Sequence, residues 1–258
     1  MTPSSPGVAL VTGAGSGMGQ LAARRLGAAG SSVAAVDVDD DGLAATVARA
    51  PTMRSWTCDV SDADAVERVV KEVESTLGPI DRLVHAAGIC LPAPLTEQPV
   101  DEIDRTIAVN FLGTVHMVKA VLPGMLDRLR GDVVAFASLA GWLPSPHLGA
   151  YSASKHAVVA FMEVLAYENR GSSVRFACVC PPVVDTPMAA AIRARDAVAI
   201  AGQAGIDPSV VVDAIESSLE AGELFVLPGK GTKSVWRARR FAPRLIWRQV
   251  ERATSRGA

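Results

Sequence analysis

Short apolar runs alternate along this chain with segments of helical period, and no other feature constrains the fold as strongly. Residues 8–12, 32–36, 53–57, 81–86, 133–137, 174–180 and 223–227 read as strands. Helical patterns fill residues 20–29, 62–77, 100–130 (with a break expected near Pro123) and 151–169. Strands that are apolar throughout and separated by helices predict a parallel sheet covered on both faces. Apolar residues make up 49% of the chain and charged ones 20%, enough to fill such a core. With no repeat or low-complexity block, the expectation is one doubly wound α/β domain of about seven strands over residues 1–228. Residues 229–258 form a basic, amphipathic extension.

Ligands of such sheets bind beyond the C-terminal strand ends. The first strand runs straight into Gly13-Ala14-Gly15-Ser16-Gly17-Met18-Gly19 and then into a helix. Glycines let backbone N–H groups approach a diphosphate, and a helix N-terminus adds partial positive charge. Asp37 ends the second strand about twenty residues later, where a carboxylate accepts hydrogen bonds from ribose hydroxyls and repels a 2′-phosphate. That favours NAD over NADP. Asp59, Gly88, Ser138 and Pro181 lie at further strand ends.

Tyr151 and Lys155 are four apart on a helical pattern and so stand one turn above each other. A neighbouring ammonium favours tyrosinate and is expected to lower the Tyr151 pKa, making the phenol useful as an acid or base.

The four cysteines lack metal-binding or disulfide-framework spacing, so no metal site is expected. Cys178 and Cys180 read as buried apolar residues, and a reducing cytoplasm as the compartment. No signal peptide or membrane-spanning apolar run is read. The net charge of −2 conceals an asymmetry. From Gly229 onward nine bases face one acid, giving +8, and the rest of the chain carries −10. Arg244, Arg248 and Arg252 would form a stripe on a helix after Pro243. Three readings compete for residues 236–252: docking on a neighbouring subunit, lying on an anionic membrane surface, or an ordered flap near the chain's own site. Nucleic acid is not expected, because the acidic body repels phosphates.

Taken in order, the glycine turn, Asp59, Ala87-Gly88, Asn110, Ser138, Tyr151 and Lys155 resemble the motifs of the short-chain dehydrogenase/reductase family over roughly residues 7–228. The resemblance implies a Rossmann-type fold, with NAD held by Gly13, Ser16, Gly17, Met18, Gly19, Asp37, Asp59, Val60, Ala87, Gly88, Tyr151, Lys155, Pro181, Val184 and Thr186. It implies Tyr151 as acid/base, Ser138 on the substrate oxygen, Lys155 tuning Tyr151 and holding the nicotinamide ribose, and Asn110 holding a relay water. A homotetramer or homodimer is implied as well. Two departures stand out: His85-Ala86 replaces the family's paired asparagines, and Pro181-Pro182 replaces its Pro-Gly. His85 is read as structural.

The substrate pocket is expected from Ser138, Trp142, Tyr151 and Met188, with the loop 139–144, Cys90-Leu91-Pro92 and a lid over 188–203 as walls. His147, one turn before Tyr151, is read as a pocket wall or structural residue. The apolar lining predicts a hydrophobic secondary alcohol, or its ketone, of steroid, retinoid, terpenoid or fatty-acyl type. The alternatives are an NADPH-dependent 3-oxoacyl-thioester reductase, which Asp37 opposes, and a dinucleotide-sensing protein without turnover, which would not need Ser138, Tyr151 and Lys155.

Overall fold

The structure, a computed structural model, describes residues 7–143 and 145–241. Pro144 and the stripe of Arg244, Arg248 and Arg252 lie outside the described residues. The seven described strands are β1 (Val8–Thr12), β2 (Ser32–Asp37), β3 (Met53–Thr57), β4 (Arg82–His85), β5 (Gly131–Phe136), β6 (Val174–Val179) and β7 (Phe225–Val226). They form one sheet in the order β3-β2-β1-β4-β5-β6-β7, every pairing parallel. All five residues of β1 and all six of β5 are buried, as strands covered on both faces must be. Strand order reverses between β1 and β4, so a crevice opens beyond their C-terminal ends.

Helices α1 (Gly17–Ala28), α2 (Asp40–Val47) and α8 (Pro208–Ala221) bury Ala22, Leu26, Leu43, Val211 and Ile215 against one face. On the other lie α3 (Ala63–Leu77), α5 (Gly113–Asp127) and α6 (Gly149–Glu168). In α3 the buried Val66, Val69, Val70 and Val73 repeat at the spacing of one helical stripe, and Asp62 caps its start by accepting from the Ala65 N–H. Helix α2 was not anticipated in the acidic run; Asp39 caps it, accepting from the Gly42 N–H.

The break expected at Pro123 falls elsewhere. Pro123 lies inside α5, where burial of Met117, Val121, Leu122 and Met125 outweighs the local cost of about 3 kcal/mol. The irregularity is a π-helical turn, Ala108–Leu112, between α4 (Val100–Ile107) and α5, and it carries Asn110. Such turns concentrate at functional sites. By length and composition the run Val100–Asp127 could cross a bilayer, contrary to the expectation from sequence. Its inward residues pack in the protein core, which is the position of a core helix.

Far from the crevice, Arg82 joins Asp132 (2.7 Å, both side chains buried) and Glu216, and Arg175 also binds Asp132. The buried charges of Arg82 and Asp132 are thereby paired, as burial requires.

Candidate active site

Two clefts adjoin at the C-terminal edge of the sheet and share Met18, Thr186 and Met188 as walls. The smaller, about 290 Å³, is lined by Gly13, Ser16, Gly17, Met18, Gly19, Asp37, Asp59, Val60, Ala87 and Gly88, every residue expected there from the turn to the fourth strand end. Its shape depends on missing side chains. Gly13 has φ +66, and a Cβ there would meet the Ala87 nitrogen at 2.7 Å. A Cβ on Gly19 would stand 2.1 Å from the Gly13 carbonyl oxygen. No side chain caps the first turn of α1 at Ser16, so its N–H groups stay open to an anionic group. The Asp37 carboxylate faces this cleft while accepting from the N–H groups of Gly15 (2.8 Å), Val38 (2.7 Å) and Asp39 (3.1 Å). It therefore fixes the turn as well as lining the cleft. A glycine cradle, an uncapped helix start and a carboxylate beyond β2 fit a dinucleotide.

The larger cleft, about 340 Å³, is mostly apolar. Ser138, just beyond β5, and Tyr151, on α6, both line it, and the Ser138 hydroxyl accepts from the Ala140 N–H at 3.1 Å. Lys155 Nζ lies 5.8 Å from the Tyr151 ring centroid and donates to the Phe136 carbonyl at 2.7 Å. The one-turn pairing expected from the spacing is present. Its electrostatic consequence is corrected: burial pushes the Tyr151 phenol up, the nearby Cys90 adds to this, and the neighbouring Ser138 hydroxyl opposes it. Burial also brings the Lys155 ammonium down to about 8, since the charged form loses its hydration.

Asn110 is fully buried and its side chain already engaged. Oδ1 accepts from the Ile89 N–H, and Nδ2 donates to the Ile89 carbonyl and to Ser154 Oγ. The amide thus ties the π turn to the β4 exit and to α6, and a Cβ on Gly88 would meet its oxygen at 3.1 Å.

His85 replaces the strand ties expected to be lost with the family's asparagines. Its Nδ1 pairs with Thr12 Oγ1 at 2.8 Å, joining β4 to β1, and the same oxygen accepts from the Ala87 N–H. Burial, then the Lys155 ammonium, drives the imidazole down to about 3, so it is neutral. Its Nε2 has no hydrogen-bond partner among the described residues.

Several expectations for the pocket are corrected. Trp142 does not line the larger cleft. It turns away to stack edge-on against Phe225 (5.2 Å) and Trp236 (5.6 Å), an arrangement that aromatic quadrupoles favour. Nor does the segment 90–92 reach the cleft. Cys90 packs instead behind Tyr151, in the cluster with Leu148 and Ile192, where burial lifts its thiol to about 12. Pro181 and Val184, expected at the cofactor, line the larger cleft, and Thr186 lies where the two meet. Met188 lines the cleft as expected, with the lid residues Ile192, Ala199 and Ile200.

A further wall comes from the far end of the chain, where a flap near the chain's own site was one of the three readings. Helix α9 (Thr232–Phe241), the described start of the basic extension, contributes Val235 to the larger cleft. Trp236 anchors this helix, aided by the Lys233–Glu223 pair. Sequence offered the interleaved aromatics as a signal but not their docking site.

Residues 7–197 match the family model described as short chain dehydrogenase. The chain belongs to the short-chain dehydrogenase family. It is 38% identical over 181 residues to the 2-dehydro-3-deoxy-L-rhamnonate dehydrogenase (NAD(+)) of a Sphingomonas species, covering 70% of this chain and 73% of that one. The 1-deoxy-11-beta-hydroxypentalenate dehydrogenase of Streptomyces avermitilis is 33% identical over 229 residues, 86% of this chain and 84% of its own. Among solved structures, a short-chain dehydrogenase/reductase from Burkholderia phymatum in complex with NAD superposes with a TM-score of 0.84 at 26% identity, covering 95% and 96% of the two chains. An actinorhodin polyketide ketoreductase variant with NADPH gives 0.80 at 31%, covering 90% and 99%. The chain is accordingly an oxidoreductase of this family, which acts on CH–OH groups with a nicotinamide dinucleotide.

Proposed function

We propose that this dehydrogenase interconverts a hydrophobic secondary alcohol and its ketone with NAD(H). One observation carries the reading. Ser138 and Tyr151 line one apolar cleft that adjoins the glycine-walled one, with Lys155 behind the Tyr151 ring. The bound dinucleotide would supply or accept the hydride. Tyr151 moves the proton: its phenolic oxygen gives a proton to the carbonyl oxygen during reduction and takes it back during oxidation. Ser138 donates to the same substrate oxygen and stabilises charge developing there. Lys155, fixed by the Phe136 carbonyl, keeps a cation beside that proton transfer, and Asn110 holds the Ile89 backbone at the wall of the smaller cleft.

Asp37 supports NAD as the preferred dinucleotide, because its carboxylate would accept from ribose hydroxyls and repel a 2′-phosphate. Apolar walls such as Ile192, Ile200 and Val235 support a hydrophobic substrate body. The test is NAD reduction by a panel of hydrophobic secondary alcohols, with NAD and NADP binding titrated side by side. Tyr151→Phe is expected to lose roughly 10³-fold in turnover while binding NAD as the native protein does. Wild-type turnover in that variant, or tighter binding of NADP than NAD, would overturn the reading.

A further inference from the structure

The lid is a long excursion whose two ends are fastened together. Val184 bridges Ile206, with backbone bonds from Asp185 N to the Ile206 carbonyl (3.0 Å) and from Ile206 N to the Val183 carbonyl (2.9 Å). Between those ends run α7 (Pro187–Arg195) and a short 3-10 turn (Ala197–Ile200), whose undersides face Leu148 and Tyr151. At the joint between the two helices stands Asp196. One of its carboxylate oxygens accepts from the Val198 N–H (3.0 Å) and caps the 3-10 turn; the other is bonded to His147 Nδ1. The preceding residue, Arg195, reaches α4 through both oxygens of Glu102 at 2.8 and 2.7 Å.

His147 sits in a backbone conformation that needs a reason. Its φ is +61, in the left-handed region that costs most non-glycine residues on the order of 1 kcal/mol. Histidine and asparagine bear that conformation better than most side chains do. The backbone is pinned there by the Ala93 N–H, which donates to the His147 carbonyl at 2.9 Å. The same residue therefore ties the β4–α4 loop by its backbone and the lid by its side chain, one turn before Tyr151. A glycine would satisfy the backbone at less cost, so the imidazole is what the position uses.

We propose that His147 is a positioning residue. By holding Asp196 it sets the lid's height over the Tyr151 hydroxyl, and so determines which apolar substrates are bound productively. Its bond lies at the joint from which Ile192 projects on one side and Ala199 and Ile200 on the other, so its loss frees both walls of the cleft together. The inference rests on the reading of the larger cleft as the substrate site.

The test compares His147→Gly, which relieves the backbone and removes the side-chain donor, with His147→Asn. Asparagine tolerates positive φ and offers an amide N–H close to the position of Nδ1. Hydrogen–deuterium exchange of lid peptides spanning residues 187–203 is read in the full-length protein. His147→Gly should exchange there about 10-fold faster than the native protein, as loss of a hydrogen bond to a charged group implies, with α3 peptides unchanged. His147→Asn should return to within about twofold of native. Asp196→Ala also removes the cap of the 3-10 turn and should exchange at least as fast as His147→Gly. The double variant should be no faster than Asp196→Ala, since that change already removes the His147 bond. With NAD and 1-phenylethanol as probe, His147→Gly should raise KM about 10-fold and leave kcat within about threefold. Native exchange rates in His147→Gly, failure of Asn to rescue, or a fall in kcat at unchanged KM would overturn the proposal. Should the native protein not oxidise the probe, the functional reading falls, while the exchange rates still decide the latch.

Discussion

The two clefts that meet at Thr186 are made of different material. The dinucleotide-sized one is built from backbone: glycines at the exit of β1, the open first turn of α1, and a carboxylate clamped by three N–H groups. The apolar one is built from side chains carried on separated elements: the β5 exit, α6, the lid, and a helix from the far end of the chain. Backbone walls are rigid and tolerate almost no substitution. Side-chain walls are adjustable, and their shape depends on how distant pieces dock. The difference implies a rigid way of holding one half of the reacting pair and an adjustable way of holding the other.

The contrast can be broken or sharpened by measurement. The largest effect is expected beneath the backbone cleft, at His85. An imidazole normally titrating near 6.5 is held down to about 3, so the unfolded chain binds a proton between those values that the folded chain refuses. Stability is therefore complete above about pH 6.5 and is lost as pH falls toward 3. From the shift, the native protein should lose about 3 kcal/mol between pH 7 and pH 4 through this group alone. In His85→Asn that loss should be absent when the two unfolding free energies are compared by urea titration at both pH values. An equal pH dependence in variant and native would show that the buried imidazole is not what limits acid stability.

Next is Gly19→Ala. The new methyl would collide with the Gly13 carbonyl, a backbone atom that cannot move aside cheaply. A cost of about 2 kcal/mol in dinucleotide affinity, roughly 30-fold, should appear in a binding titration. Undiminished affinity would mean that this cleft is more compliant than its geometry implies. The smallest effect belongs to the other cleft. Ile192→Ala trims a buried lid side chain, and KM for a hydrophobic alcohol should rise several-fold, about 1 kcal/mol, with NAD affinity unchanged. A change in NAD affinity of the same size would couple the two clefts and weaken the distinction.

The sheet, its parallel pairing and the backbone cleft were legible because they are written locally. Runs such as Val8–Thr12 can be only buried strands, and the glycines that follow mark where a side chain would collide. The stacking of Tyr151 and Lys155 was legible for the same reason, since a helix fixes which residues share a face. Less legible was the chemistry of that pair. The Lys155 charge could be read from the sequence, but not the burial that raises the phenol. Trp142 was misplaced because its neighbours in sequence line the cleft, whereas its partners Phe225 and Trp236 lie far along the chain.

By itself, then, the amino-acid order determined everything carried by periodicity and by the sterics of single residues: strand and helix identity, the phosphate-sized turn, and the serine, tyrosine and lysine at one edge. The tertiary structure alone decided what surrounds those groups. It set the extent of Tyr151 burial, the neutral His85 bound to Thr12, the seating of α9 over the cleft, and the bond from His147 to the lid. The physical reason is that desolvation and long-range packing depend on atoms brought together from distant parts of the chain. Local sequence fixes which groups are available, and only the assembled fold fixes the dielectric and the walls in which they act.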